Sequence, residues 1–279
     1  MTPLKDALHS ASDKVLYVFY DFETTQNTEY RAEAKLYVTN LVCVQQFCSR
    51  WEDVEDCLRR GKMKHSFWKD PVGDLLPYLT EPCPWADKIV AIAYNAKAFD
   101  LHFILNRAIV LKWKPELIMN GLKIMCMKVE HLVFLDSVSF LPCPLRKLPE
   151  AYGLTASKSW FPYLFNTEEN LDYIGSIPDI KYYCVNAIGE EERQEFLAWY
   201  ESQKSEEVFD NRRVHEKYCQ DEVKVLRQSC RVFSREFMQI GNIDVFIESI
   251  TIASACNKML RKRFLQPDTN GLIPTGGYI

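Results

Sequence analysis

Short unbroken apolar runs alternate along this chain with longer stretches in which apolar residues recur every three or four positions. Residues 15–20, Val-Leu-Tyr-Val-Phe-Tyr, are six apolar or aromatic side chains in a row, and the run continues to Thr25 through Asp21 and Glu23. Its β-branched and ring content predicts a strand buried on both faces. After a polar, turn-like stretch at 26–35, residues 36–47 predict a second strand. Residues 88–94 predict a third, and 122–129 and 131–136 predict two more joined tightly around Glu130. A helix is expected over 71–80, because Asp70 can cap it and Pro71 is tolerated in a first turn. Further helices are expected from Asp100 to Val110, over 190–200, over 214–237 and in the tail from Thr251, with a short one at 54–60. In the 190–200 segment Phe196, Trp199 and Tyr200 share one side while a run of glutamates forms a solvated face. Pro142, Pro144 and Pro149 punctuate a loop, and 160–186 is aromatic and irregular. Strands alternating with helices give an α/β fold built on a layered sheet.

Composition narrows the picture modestly. With 279 residues the chain is long enough to bury a sizeable core, and a net charge of −4 argues against a surface coated in basic residues. Ten cysteines include no Cys-x-x-Cys, and several lie in apolar runs where a thiol acts as a small hydrophobe, so a reducing, intracellular compartment is expected. No uncharged run approaches the length needed to cross a bilayer, so no membrane partner is expected.

The chemistry gathers at strand ends. Side chains two apart on a strand point the same way, so Asp21 and Glu23 project together. Their mutual repulsion calls for a cation, and a divalent metal is the usual answer. Asp-x-Glu alone is a weak signal. Two further clusters strengthen it: Asn95-x-x-x-Phe99-Asp100 after another strand, and Tyr218-Cys-Gln-Asp221-Glu222 on a late helix.

Together the three clusters resemble the exonuclease motifs of family B DNA polymerases, in the subclass whose catalytic acids are joined by a tyrosine. The intervening sequence is similar to the protein-primed branch carried by Maverick or Polinton-type transposons and related viruses and plasmids. That likeness rests on Asn40-Leu-Val-Cys-Val-Gln-Gln, Asn120-Gly-Leu-Lys-Ile-Met, Leu135-Asp-Ser-Val-Ser-Phe-Leu-Pro-Cys-Pro-Leu, Trp160-Phe-Pro-Tyr-Leu-Phe-Asn and Thr251-Ile-Ala-Ser-Ala-Cys, and covers nearly everything from residue 15 onward. The resemblance implies an RNase H-like (DnaQ-like) 3′-5′ exonuclease fold with a mixed central sheet. It divides the chain into an N-terminal extension over 1–14, the exonuclease domain over 15–240 and the start of a polymerase palm over 241–279. The polymerase motifs themselves are absent from this sequence.

The same resemblance implies two magnesium or manganese ions about 4 Å apart, supplying a hydroxide nucleophile and stabilising the leaving 3′ oxygen. Asp21 would bridge both ions, Glu23 and Glu222 (or Asp221) would hold one, and Asp100 the other through water. Tyr218 would orient the attacking water. Asn95 and Phe99 would grip a frayed 3′ end, the ring stacking on a base. Thr24 and Ser137 would touch the same terminus, and Lys158 would sit on the scissile phosphate. The expected partners are single-stranded DNA 3′ ends and a terminal protein that primes synthesis, with a nuclear location by analogy.

The sequence departs from that family in three places. The late motif normally reads tyrosine, three residues, aspartate, but the fourth place after Tyr218 holds Glu222, and the aspartate, Asp221, comes one residue early. These two acids lie 100° apart around a helix axis. Tyr94 precedes Asn95 where a histidine is common, and Ala98 stands in place of a frequent glycine. The expected function is proofreading hydrolysis of single-stranded ends. The alternative is a catalytically weakened or inactive domain that still binds DNA ends or a replication partner.

Overall fold

Residues 15–20 and 41–44 are almost wholly buried, and they form the two strands on which the sheet is built. The computed structural model describes residues 14–31, 34–48, 56–57, 61–83, 86–156, 159–204 and 208–266. In chain order these are β1 (Val15–Arg31), β2 (Ala34–Cys48), β3 (Asp56–Cys57), β4 (Gly61–Lys62), β5 (Lys64–Trp68), α1 (Pro71–Thr80), β6 (Lys88–Ala93), α2 (Asp100–Val110), β7 (Glu116–Asn120), β8 (Lys123–Val129) and β9 (Leu132–Asp136). Then follow α3 (Leu148–Ala151), β10 (Ile174–Gly175), α4 (Glu190–Lys204), β11 (Phe209–Asp210), α5 (Asn211–Gly241), α6 (Val245–Glu248) and α7 (Ile252–Met259).

Seven strands form one mixed sheet in the order β5-β2-β1-β6-β9-β8-β7. β1 pairs antiparallel with β2 and parallel with β6, and β6 pairs parallel with β9. The α/β class with a mixed central sheet flanked by helices is as the sequence led us to expect, and the β5-β2-β1-β6-β9 order fits the RNase H-like expectation.

The two faces divide by strand parity. Tyr17 and Phe19, with Val90, Ile92 and Leu135, pack under α5 through Val223, Leu226 and Phe233. Leu16, Val18 and Tyr20, with Ala91 and Phe134, pack under α1 and α2 through Leu75, Leu79, Leu101 and Ile104. Each such side chain contributes about 1.5–3 kcal/mol of burial. Asp21 and Glu23 continue the odd series, so they emerge on the α5 face. Asp100 opens α2 on the other face. Parity therefore decides which helix meets which acid.

At the start of α1 the Asp70 carboxylate accepts from the Gly73 amide at 3.1 Å and pairs with Arg107 at 3.0 Å. A Cβ on Gly73 would fall 2.0 Å from that carboxylate, so the close approach requires glycine. Asp70→Ala is expected to cost about 1 kcal/mol, since it removes a cap whose ion pair is exposed and contributes little. A thermal melt lowered by a few degrees would show it.

Several expectations change. Residues 26–31 continue β1, and 34–35 begin β2, where a turn was expected: polar residues are tolerated because this end of the ladder stands in solvent with one partner strand. The helix expected at 54–60 is a strand at 56–57, paired with 61–62, and its remaining residues lie outside the described ones. The segment 142–149 is no plain loop, because Pro149 sits in the first turn of α3, where a missing amide costs nothing. β7 was not foreseen. All five of its residues are exposed, so it carries no burial pattern to read.

Candidate active site

β6 accompanies β1 only as far as the Phe19–Ile92 pair. Beyond it β1 runs on with β2 alone, and β6 turns off through residues 94–99 into α2. A notch therefore opens at the carboxyl ends of two parallel strands, the place where open α/β sheets bind ligands. Asp21 and Glu23 border it from β1. Their carboxylate oxygens and the Cys219 sulfur lie within 4.8 Å of one another.

α5 supplies the opposite wall. Cys219 Sγ donates to the Asp21 carbonyl at 3.4 Å, fixing the helix against β1, and Gln220 anchors it further to His65 and Ser66 of β5. Three residues before Tyr218, and so on nearly the same helix face, the fully buried His215 places Nε2 3.8 Å from a Glu23 oxygen. Its ring stacks on Phe161 at 4.5 Å and meets Trp68 edge-on.

The Tyr218 hydroxyl donates to Glu222. Burial, then the Glu222 carboxylate, hold the Tyr218 hydroxyl well above its usual range, so the proton stays on the phenol. Having one proton to give, Tyr218 accepts in turn from the Tyr163 hydroxyl at 2.7 Å. Asp221 turns away: it pairs with Lys217 at 2.6 Å and accepts from Ser159 at 3.1 Å. Of the two candidate acids on α5, Glu222 is the one that faces the tyrosine cluster.

Asp100 closes the notch from the other face. It is 2% exposed and accepts from the Phe22 amide at 3.3 Å, directly between the two β1 acids in sequence. Burial raises its carboxyl to about 7, with Asp136 and Glu23 adding to the rise and the Phe22 amide opposing it. Asp136, at the end of β9, is fully buried and bonds Lys97 at 2.9 Å and both the amide and hydroxyl of Ser139. Lys97 is thereby fixed, and with it the 95–99 connection.

The candidate substrate residues line this connection and its surroundings. Asn95 is exposed and holds a left-handed backbone with φ of 56°. Phe99 is half-buried, edge-on to Tyr37 at 5.4 Å and to Phe103 at 5.0 Å. Thr24 is buried, its carbonyl accepting from Asn166 at 2.9 Å. Ser137 is fully buried beside Asp136, its hydroxyl unpartnered. Lys158 lies outside the described residues.

DNA polymerase type B, organellar and viral, is the family that matches residues 86–277. The chain belongs to that family. Probable DNA polymerase of Agaricus bitorquis is 33% identical over 125 residues, 41% of this chain and 15% of that protein. Probable DNA polymerase of Podospora anserina is 27% identical over 136 residues, 48% of this chain and 11% of that protein. This chain thus spans a small part of the length of these relatives. Phi29 DNA polymerase complexed with primer-template DNA aligns over 87% of this chain and 34% of its own, at 13% identity and a TM-score of 0.49.

Type B polymerases use divalent metals, and the donors of this type B polymerase chain suit one. Carboxylate oxygens are hard ligands of the kind magnesium and manganese take. Asp21 and Glu23 supply them at close range, with Glu222 on the facing helix and Asp100 on the other face of β1. The family match starts at residue 86, so Asp21 and Glu23 lie before it. Sequence reasoning missed His215, Cys219, Tyr163, Asp136 and Lys97 as parts of this candidate site. For the first two the signal was present, since both sit within one turn of Tyr218 on a helix already singled out. Asp136 stands at a strand end, where the other acids gather, but Lys97 gave no signal, because its pairing with Asp136 joins residues on two distant elements.

Proposed function

We propose that residues 15–240 form the 3′-5′ exonuclease part of a protein-primed type B DNA polymerase, hydrolysing single-stranded DNA ends, with 241–279 leading into the palm of the parent protein. The observation that supports this reading is the meeting of Asp21 and Glu23 from β1, Asp100 from α2 and the Tyr218–Glu222 pair from α5 around the notch where β1 and β6 part. Mutually repelling acids gathered this closely have no role in stability alone.

When bound, two divalent ions, magnesium or manganese, supply an activated water and neutralise charge on the leaving oxygen. Asp21 and Glu23 would hold them with Glu222 and Asp100. Tyr218, itself held by Tyr163, would keep the Glu222 carboxylate in one orientation. Phe99 would stack on the terminal base and Asn95 would meet the sugar and phosphate, with Thr24 beside Glu23 on β1, whereas Ser137, fully buried, would act only from behind Asp136. A terminal protein would be the priming partner, a reading that rests on the resemblance to the Maverick or Polinton-type branch.

Glu222 also favours a second reading, a domain that grips DNA ends but cuts them slowly. Glu222 carries one methylene more than the aspartate usual at this place, and its carboxylate is engaged by the Tyr218 hydroxyl. Digestion of a 5′-labelled single strand with magnesium, manganese or chelator, beside Glu222→Asp, separates the two. A metal-dependent ladder from the unchanged protein supports the exonuclease. No ladder until Glu222→Asp restores one supports the second reading, and no ladder from either protein would sink the first.

A further inference from the structure

β1 and β2 extend past the notch as a two-stranded hairpin, paired as far as Arg31–Ala34. Its apolar side chains face water where a core strand would bury them: Tyr30 is 60% exposed, Tyr37 47%, Leu36 46% and Val38 40%. The hairpin is joined to the site by rings. Phe22, between the two β1 acids, meets Phe103 edge-on at 6.1 Å. Phe103 meets Phe99 at 5.0 Å, and Phe99 meets Tyr37 at 5.4 Å. Farther out, the Arg31 guanidinium lies over the Tyr30 ring at 4.9 Å.

We infer that this hairpin is a stacking arm for single-stranded DNA, with Tyr37 and Tyr30 receiving the bases that follow the terminal one on Phe99. The inference rests on the exonuclease reading. Aromatic faces are the sequence-tolerant grip on a single strand, and a row of them leading out of a cleavage site sets a path for the strand behind its 3′ end. Tyr37 already meets Phe99 edge-on, so the row of rings passes without a break from half-buried to exposed, each ring offering its own face. The occupant is a nucleic acid, and the grip is by stacking more than by charge. In sequence the arm carries Glu29 and Glu33 against Arg31 and Lys35, two acids and two bases, so its formal charge cancels. A phosphate-binding arm would be basic.

The test is binding of fluorescent oligothymidylates, three and ten nucleotides long, in chelator at two salt concentrations, with wild type, Tyr30→Ala/Tyr37→Ala and Tyr30→Phe/Tyr37→Phe. Both tyrosines are exposed, so neither change threatens the core. Wild-type affinity is expected to rise from the trimer to the decamer. The double alanine variant is expected to lose about tenfold or more on the decamer. Its log affinity against log salt should keep the wild-type slope, and the phenylalanine variant should bind as wild type. Equal decamer affinity for wild type and the alanine variant would overturn the arm, as would a loss that the phenylalanine variant shares. A wild type that cuts single strands while the alanine variant binds them equally well refutes the arm alone. A wild type that neither cuts nor binds refutes the exonuclease reading with it.

Discussion

Asp21→Ala is expected to abolish metal-dependent cleavage of single-stranded DNA, with a loss of roughly a thousandfold or more, since bound metal supplies several kcal/mol of charge stabilisation and each 1.4 kcal/mol is tenfold in rate. Asp21 is chosen because its carboxylate is close to both Glu23 and Cys219, and it is less buried than Glu23, so it opens onto the notch. The isosteric Asp21→Asn separates chemistry from folding. It keeps the shape of the side chain and removes one of the repelling charges, so the metal-free protein should melt no lower than wild type. Rates on a 5′-labelled strand and melting curves in chelator measure both. Asp21→Asn cutting at the wild-type rate would refute the assignment of the acids.

Stability of the metal-free protein is expected to fall as pH rises from about 4 to about 7. Burial holds the Asp100 carboxyl at about 7 in the folded chain, against an ordinary value of 3.8. Between those limits the folded state keeps a proton that the unfolded state has lost, so raising the pH favours unfolding until Asp100 ionises in both. Three pH units at 1.36 kcal/mol each come to about 4 kcal/mol. The groups facing Asp100 are Glu23 from β1, Asp136 from β9 and the backbone amides of Asp100 itself and Phe22, and only the amides favour its ionised form. A divalent cation supplies the missing compensation, so manganese should restore stability at pH 8 far more than at pH 5, where it must displace the proton. Denaturant midpoints at the two pH values, with manganese or chelator, read this directly. Asp100→Asn should flatten the metal-free curve. A wild-type curve already flat between pH 4 and 7 would mean that the buried carboxyl finds compensation elsewhere.

What the sequence could disclose follows from which contacts are local. β1, β6, β9 and the helix from Asp100 are legible because their apolar runs are continuous and their ends carry turn or cap residues. The pairing of Asp21 with Glu23 follows from strand parity alone. The placement of α5 over the odd-numbered face does not, because it depends on how a helix nearly two hundred residues away packs on the sheet. For the same reason spacing alone does not choose between Asp221 and Glu222, whereas the packed helix does: Lys217 and Ser159 engage the first and Tyr218 the second. In sequence the hairpin past the notch looks like a turn, because its alternation has no buried face to enforce it.

The outermost strand of the sheet leaves a different mark. β7 pairs with β8 on one side only, and among the described residues nothing pairs with its other side. It presents Leu117, Ile118 and Met119 at 38%, 42% and 45% exposure, followed by Leu122 at 87%. Edge strands in soluble proteins are commonly guarded by lysine, proline or a bulge. This one has a register irregularity between Ile118 and Met119 and the acid Glu116, which break the ladder's regularity without removing its free hydrogen-bonding row. Such a row is a template for another strand, so at high concentration this chain is expected to self-associate through β7 before its fold is lost.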